Sequence, residues 1–500
     1  QAGGLRPSIE TSLHAVFPQR VVVHVHCVNT LALAIRRDAG PALAARLGGF
    51  NWAMVPYAKP GANLAAQVLA VLSPGVDVVI LRNHGLIVAA ETVAAAEALL
   101  MRVVTAVTAP ALSLPADPAL AASGDAAYAP LPEDHPLHTV ARTPHLLQAA
   151  LAGTLYPDHV VFCGVSANAL PDGETPTQAA ARIVAQGLPQ PAFLLVPGLG
   201  ALIRAEASAG AQALSRCLGD VLSRLPEGAA PLRVMFSADI GPDHKLMHAD
   251  PEGPAGVDYL ICESTYGDRD RIDATADRRR KLLADEVRAA MHPNGALLIP
   301  SFAVERAQEL ISDLGRLIAE GALPAIPIYV DSPLATKATR VFAKHHRELE
   351  EGAVLMKGLK SRHLHFTETR EQSIALDRVH GFHIVIAASG MCDAGRIRHR
   401  LKNWLWRDEG TVLFTGFQAV GTLGRILQDG ARSVRIQGEE FAVRARIRSL
   451  DLYSGHADGT ELRDWIKERL PIRHQLFLVH GEEAAMQGLA ARLDGIVDAH

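Results

Sequence analysis

A chain of 500 residues with 49% hydrophobic and 20% charged residues has globular composition, enough for about two to four cored domains. The formal net charge of −4 excludes a global basic field, so any nucleic-acid contact must rest on a local patch. Cys27, Cys163, Cys217, Cys262 and Cys392 lie scattered without CxxC spacing, which argues against a disulfide frame and suits reduced thiols in a cytoplasm.

The opening QAGGLRPSIE has no basic n-region followed by an apolar run, so no signal peptide is expected, and no apolar stretch reaches membrane-spanning length. A cytoplasmic chain without membrane contact is the expectation. Charge is unevenly spread: residues 1–230 hold 13 of the 49 Lys and Arg and 15 of the 53 Asp and Glu, so the remainder is more than twice as densely charged. Two different proteins are expected to meet near Pro226–Arg233, either as a fusion or as two broken genes joined.

In chain order, Pro7 to Pro18 reads as a helix with Ser8 as its N-cap, and Arg20 to Val28 (RVVVHVHCV) as a strand. Alternation puts His24 and His26 on one strand face, about 6.6 Å apart along the backbone, so both imidazoles can reach one ion. VDVVILRNHGLIVAA (76–90) reads as two short strands with His84 at the break, and 91–107 as an amphipathic helix. His-x-His with one distant His is the ligand count of a zinc site that keeps a position open; the alternative is two solvent-facing strand histidines and a turn histidine. The stretches PSIETSLH, VVVHVHCVNTLA and LRNHGLIV resemble class II aldolase/adducin domains. The resemblance implies His24, His26 and His84 as ligands of one zinc, Glu10 as the proton-transfer base, and a sugar-phosphate substrate. It also implies a substrate-holding segment that would lie before Gln1.

The Ala-Pro-rich stretch 108–135 reads as a linker or surface loop. From 136 to 230 an α/β extension is expected: HTVARTPHLLQAALAGTLY helical, HVVFC and AFLLVPGLGALI as strands, and SAGAQALSRCLGDVLSRL helical. The PGLG between apolar runs reads as a hairpin turn rather than a phosphate loop.

In the second segment, 231–239 and 257–263 read as strands ending at Asp239 and Glu263. DRRRKLLADEVRAAMH is a helix whose Arg278, Arg279 and Arg280 form a solvated face or, less often, meet a phosphate backbone. GALLIPS and IPIYVDS flank a helix over 304–320 as a βαβ unit. YSGHADGTELRDWIKERLPIRHQLFLVHGE (453–482) places His456 in a turn before a helix, and His480, 24 positions on, after a buried strand.

With MFSADIG, VDYLICESTYGDR, IPSFAVERAQEL, YVDSPLA, ASGMCDAGRIRHRL and LFTGFQAVGTLGRIL in this order, residues 231–500 resemble the metallo-β-lactamase-fold nucleases of the β-CASP group, RNA-processing exonucleases included. The resemblance implies Asp239 as the carboxylate bridging up to two zinc ions and His480 as a late zinc ligand. It implies His456 beside the scissile phosphate, Glu263 orienting it, and Ser389, Gly390 and Ser454 cradling RNA phosphates. The group's first zinc motif, His-x-His-x-Asp-His, is absent from the 500 residues. Two zinc ions need about eight donors, and without the first half of this fold its second sheet is expected to expose an apolar face and an unpaired edge.

The expected fold class is therefore α/β and α+β multidomain: a class II aldolase-like α/β domain, then a partial metallo-β-lactamase αββα fold with an inserted β-CASP α/β domain. The expected boundaries are 1–110 for the aldolase-like domain, 111–135 for the linker and 136–230 for the extension. The lactamase-like part takes 231–263 and 401–500, and the β-CASP insert 264–400. The favoured function is metal-dependent RNA hydrolysis, impaired by the missing motif. The alternatives are a zinc-dependent lyase on a sugar phosphate and a non-catalytic RNA-binding remnant; a homo-oligomer is expected in each case.

Overall fold

The structure, a computed structural model, describes residues 8, 10–58, 60–185, 188–243, 245, 247, 250–271 and 275–497. Pro7, the expected start of the first helix, lies outside them. The first sheet holds β1 (Val21–Val25), β2 (Trp52–Val55), β3 (Val78–Leu81) and β4 (Gly85–Ala90) in the order β1-β4-β3-β2. β3 and β4 are entirely or almost entirely buried, as continuous apolar runs require, and the helix Val93–Ala106 starts where Thr92 accepts from the Ala95 N–H. The predicted strand through Val28 stops at Val25, because Cys27 opens a helix, Val28–Ala34, that buries Leu31, Leu33 and Ala34. The helix expected over 7–18 is shorter, Thr11–Ala15, with Glu10 as N-cap and Ser8 accepting from the Glu10 N–H.

The middle segment builds β5 (Tyr128–Pro130), β6 (Phe193–Val196) and β7 (Gly200–Arg204) in the order β5-β7-β6. PGLG is the hairpin turn between β6 and β7, with Val196 opposite Gly200. The expected linker supplies β5, so it is partly a sheet edge. HVVFC is not a strand but lies within the helix Pro157–Cys163: Pro157 occupies its first turn and Gly164, at φ 90°, stops it. The predicted helix over 138–156 is two helices, Leu137–Arg142 and Pro144–Leu151, broken where Pro144 cannot continue the first.

In the second half, β8 (Val234–Phe236) and β9 (Tyr259–Glu263) run parallel. A six-stranded parallel sheet follows, built from β10 (Ala296–Pro300), β11 (Ile328–Val330), β12 (Leu364–Phe366), β13 (His383–Ala387), β14 (Gly410–Phe414) and, after the hairpin β15 (Ser433–Ile436) and β16 (Glu439–Ala442), β17 (Arg446–Ser449). Its order is β12-β11-β13-β10-β14-β17. β14 and β17, expected in the lactamase-like part, thus complete the sheet of the expected insert; their apolar residues Val412, Phe414 and Ile447 join its core. β18 (Gln475–Val479) returns to pair in parallel with β9, giving β18-β9-β8.

Arg279 and Arg280 face neither solvent nor a phosphate path. Both are buried in the helix Ala276–Ala290, and the Arg279 Nε donates to Asp313 at 2.9 Å.

The apolar face expected to be bare on β18-β9-β8 is covered by the first half. Tyr57, 1% exposed, packs on Tyr259 and Phe477 with ring centroids 5.5 and 6.0 Å away, in a cluster with Leu232, Val234 and Ile261. Asp258, fully buried below this cluster, accepts from Arg37 Nη2 at 2.9 Å and from the Arg233 N–H at 2.8 Å. The free edge of β8 meets Thr154 in an isolated bridge with Val234. Tyr57→Ala is expected to lower the stability of the second half by about 3 kcal/mol, read as an earlier first transition in denaturant unfolding. Tyr57→Phe is expected to stay within about 1 kcal/mol, because among the described residues the Tyr57 hydroxyl has no partner. Equal losses in both variants would show that the ring contact does not hold the halves together.

Candidate functional site

Two clusters of metal-ligating side chains form among the described residues. Glu10, His24, His26 and His84 bring one ligand atom each to within 4.8 Å of one another, and so do Asp239, His456 and His480.

The first cluster follows from strand pairing. Antiparallel β1 and β4 set His24 opposite Ile87, and the turn between β3 and β4 carries His84. That turn needs its own residues. Asn83 sits at φ 52°, and a Cβ on Gly85 would lie 2.8 Å from the Val25 carbonyl oxygen and 3.0 Å from the His24 Nε2. The three imidazole centroids are 5.0–5.1 Å apart. Glu10 faces two of them, with Oε2 3.3 Å from His24 Nδ1 and Oε1 3.4 Å from His84 Nε2. Hydrogen bonding to His84 and attraction to the histidines hold the Glu10 carboxyl at about 2, while burial beside His84 lowers His24 to about 4. Three imidazoles converging beside an ionised carboxylate are a zinc-type donor set. His24 Nε2 and His84 Nδ1 are buried without a hydrogen-bond partner among the described residues, so the cluster carries donor capacity that the protein does not use. His26 differs: its Nδ1 meets Asp158, and that contact raises its pKa and lowers that of Asp158.

The second cluster sits where three parallel strands end on one edge, the place where such sheets present ligand-facing loops. Asp239 follows β8, Glu263 ends β9 opposite Val479, and His480 follows β18. Ala238 and His480 both hold positive φ, 51° and 61°, a strain of the kind kept at functional sites. His456 comes from the loop before the helix Gly459–Lys467, whose start is locked by reciprocal hydrogen bonds of Asp458 and Glu461. Both carboxylate oxygens of Glu263, 1% exposed, lie 3.1 Å from His456 Nδ1. Burial alone would raise the Glu263 pKa, but His456, the Thr265 hydroxyl at 2.7 Å and the Ile240 N–H at 2.6 Å together hold it below the ordinary carboxylate range. The His480 Nε2 is 3.6 Å from Asp239, and both side chains are more than half exposed. Three donors, two of them open to water, do not fit a two-zinc site among the described residues.

Ser454, expected at a phosphate, is buried and its Oγ accepts from the His456 N–H at 3.2 Å, so it shapes the His456 turn. Ser389 is half-buried, with its Oγ accepting from the Ala394 N–H. Gly390 lies against Phe302, where a Cβ would come within 2.9 Å of the ring. Arg306 stacks 4.9 Å over Phe302 and donates to the Tyr453 carbonyl at 2.9 Å, which links this loop to the His456 turn without direct contact. Sequence reading missed Thr265, Arg271, whose Nη2 donates to the His456 carbonyl at 2.6 Å, and Asp158. Thr265 lies in the motif that carries Glu263 and Arg271 just past it; Asp158 directly precedes HVVFC, the stretch expected as a strand.

Residues 1–109 match the Class II Aldolase and Adducin N-terminal domain, 307–427 the Beta-Casp domain, and 440–498 the Zn-dependent metallo-hydrolase RNA specificity domain. The chain is 36% identical over 266 residues to a ribonuclease of Thermus thermophilus, covering 52% of this chain and 60% of that protein. It is 30% identical over 253 residues to an RNase J-like protein of Methanocaldococcus jannaschii, covering 50% and 58%. With the transcription termination factor FttA of Methanothermobacter thermautotrophicus it shares 27% over 294 residues, covering 55% and 45%. A solved N-terminal class II aldolase domain from Thermoplasma acidophilum is 33% identical over 20% of this chain and 46% of that one, with a TM-score of 0.19. The C-terminal half thus resembles β-CASP RNA-processing nucleases and the N-terminal part class II aldolase/adducin domains, in a multidomain α/β architecture. The chain spans about half the length of the curated relatives it matches. The matched domains imply zinc. No helix among the described residues is long and apolar enough to cross a membrane.

In the metal-free protein the His24 ring is expected to titrate near pH 4, readable by NMR. The folded chain then takes up this proton later than the unfolded chain, whose histidine titrates at about 6.5. The His24 contribution to stability is therefore complete above that pH and falls by up to about 3 kcal/mol as pH drops toward 4. A midpoint near the ordinary histidine value would show that the trio is not enclosed.

Proposed function

We propose that the second half is a metal-dependent hydrolase of the β-CASP RNA-nuclease type, slowed by an incomplete donor set. The observation that carries this reading is the buried Glu263 carboxylate on His456 Nδ1, at the edge where Asp239 and His480 also project. A carboxylate accepting at Nδ1 fixes the proton there and presents Nε2 outward. Once protonated, Nε2 can give its proton to the oxygen leaving a cleaved phosphodiester, and Glu263 stabilises the charge while it is held. Among the described residues Asp239 and His480, with His456 beside them, would hold one zinc at most. RNA as the substrate is supported by the ribonuclease and RNase J-like relatives; Ser389 and Gly390 would shape the strand path, and Ser454 would act only through the His456 turn.

A second reading has its own support in the first cluster. His24, His26 and His84 would hold one zinc, which supplies a Lewis acid for the carbonyl and hydroxyl of a hydroxy-ketone substrate of the sugar-phosphate class. Glu10, ionised and between two imidazoles, would move the proton.

RNA cleavage by the purified full chain is expected to require added metal and to fall by about 10²–10⁴ in His456→Ala, with little change in Glu10→Ala. RNA binding that survives without any cleavage in the wild type would identify a non-catalytic RNA-binding remnant and overturn the hydrolase reading. Retro-aldol cleavage of a sugar phosphate is expected to be lost in Glu10→Ala and retained in His456→Ala. A rate indifferent to Glu10 would remove the lyase reading.

A further inference from the structure

Asp158 lies outside the stretch of 1–109 that matches an aldolase-type domain, and 132 positions from its partner, yet its Oδ2 hydrogen-bonds the His26 Nδ1. We propose that Asp158 is a positioning residue of the first cluster: it fixes the tautomer and ring plane of His26 so that Nε2 is left as a metal donor. The proposal rests on the reading of His24, His26 and His84 as a metal site.

An ionised carboxylate only accepts, so the shared proton sits on Nδ1, and a neutral imidazole then has its lone pair on Nε2 alone. Metal-binding histidines commonly give their second ring N–H to a carboxylate, which orients the ring and makes it a better donor. His26 needs such a restraint more than its neighbours do. The His24 and His84 side chains are each 4% exposed and fixed by packing, whereas the His26 side chain is 32% exposed and lies just past the end of β1.

The placement of Asp158 is built rather than incidental. The Nδ2 of Asn83, fully buried and adjacent to His84, donates to the Leu155 carbonyl at 2.7 Å. The segment leading into the helix Pro157–Cys163 is thereby tied to the same turn that carries a cluster histidine. Tyr156, 1% exposed, anchors it from the other side, with its hydroxyl 3.7 Å from Cys217 Sγ on the helix Ala209–Leu222. Two attachments therefore bring the middle segment to the cluster, one through Asn83 beside His84 and one through His26. The middle segment thereby completes a site whose donors all come from the first sheet and the helix before it.

The test uses the full chain with Asp239→Ala, so that the second cluster does not compete, freed of metal and titrated with zinc against a chromophoric chelator. Cobalt absorption serves as a second readout of donor geometry. Asp158→Asn is expected to weaken zinc binding by about 10- to 100-fold and to alter the cobalt spectrum, with the metal-free melting temperature unchanged; Asp158→Glu should recover part of the affinity. Unchanged affinity in Asp158→Asn, alongside loss of binding in His26→Ala, would overturn the positioning role and leave the metal site standing. Unchanged affinity in His26→Ala as well would overturn the metal reading itself. Weaker binding that comes with a lower metal-free melting temperature and an unaltered cobalt spectrum would make Asp158 a structural contact only, which also overturns the proposal.

Discussion

A carboxylate taken out of water must be surrounded by donors or lose its charge, and the second half of this chain is arranged to meet that condition at Glu263. Its oxygens collect the His456 ring, the Thr265 hydroxyl and the Ile240 N–H, which come from three separate stretches of chain. The same Thr265 hydroxyl lies 3.3 Å from the His480 carbonyl, so the loops after β8, β9 and β18 and the turn before the helix Gly459–Lys467 are gathered on one buried charge. Asp239 and His480 owe their proximity to this gathering, since their own side chains are largely exposed and bring little packing to the edge.

The first cluster solves a related problem by the opposite means. Three imidazoles and one carboxylate are brought together by strand register and by a turn that suits Asn-His-Gly, because Asn83 takes a left-handed backbone and Gly85 leaves no room for a Cβ. Buried ring nitrogens without partners are costly, and His24 and His84 each carry one among the described residues, so the cluster is not arranged for stability. Stability in this region comes instead from the continuous apolar strands β3 and β4 beneath it.

The two halves share more than a covalent junction. Asp258 ties Arg37 to the backbone of Arg233, and Tyr57 seals the sheet β18-β9-β8 against water. A sheet face that periodicity marks as apolar has to be covered by something. Which element covers it cannot be read locally, because Tyr57 belongs to a stretch with no pattern pointing outward. Arg279 and Arg280 show the same limit from the other direction: beside Arg278, which is exposed, they read as a surface feature until Asp313 is placed beside them.

Features set by near neighbours were legible in the sequence alone. They include the alternation that aligns His24 with His26, the strand break at His84, the PGLG hairpin, the strand ends that carry Asp239, Glu263 and His480, and the helix after His456. All depend on spacings of a few residues, where side-chain direction follows from backbone geometry alone. Only the folded chain settled whether HVVFC is strand or helix, that β14 and β17 complete the larger sheet, and that Asp158 reaches His26 and Tyr57 reaches Phe477. These are contacts between segments far apart in the chain, and burial against a distant neighbour outweighs the modest local preferences that a sequence displays.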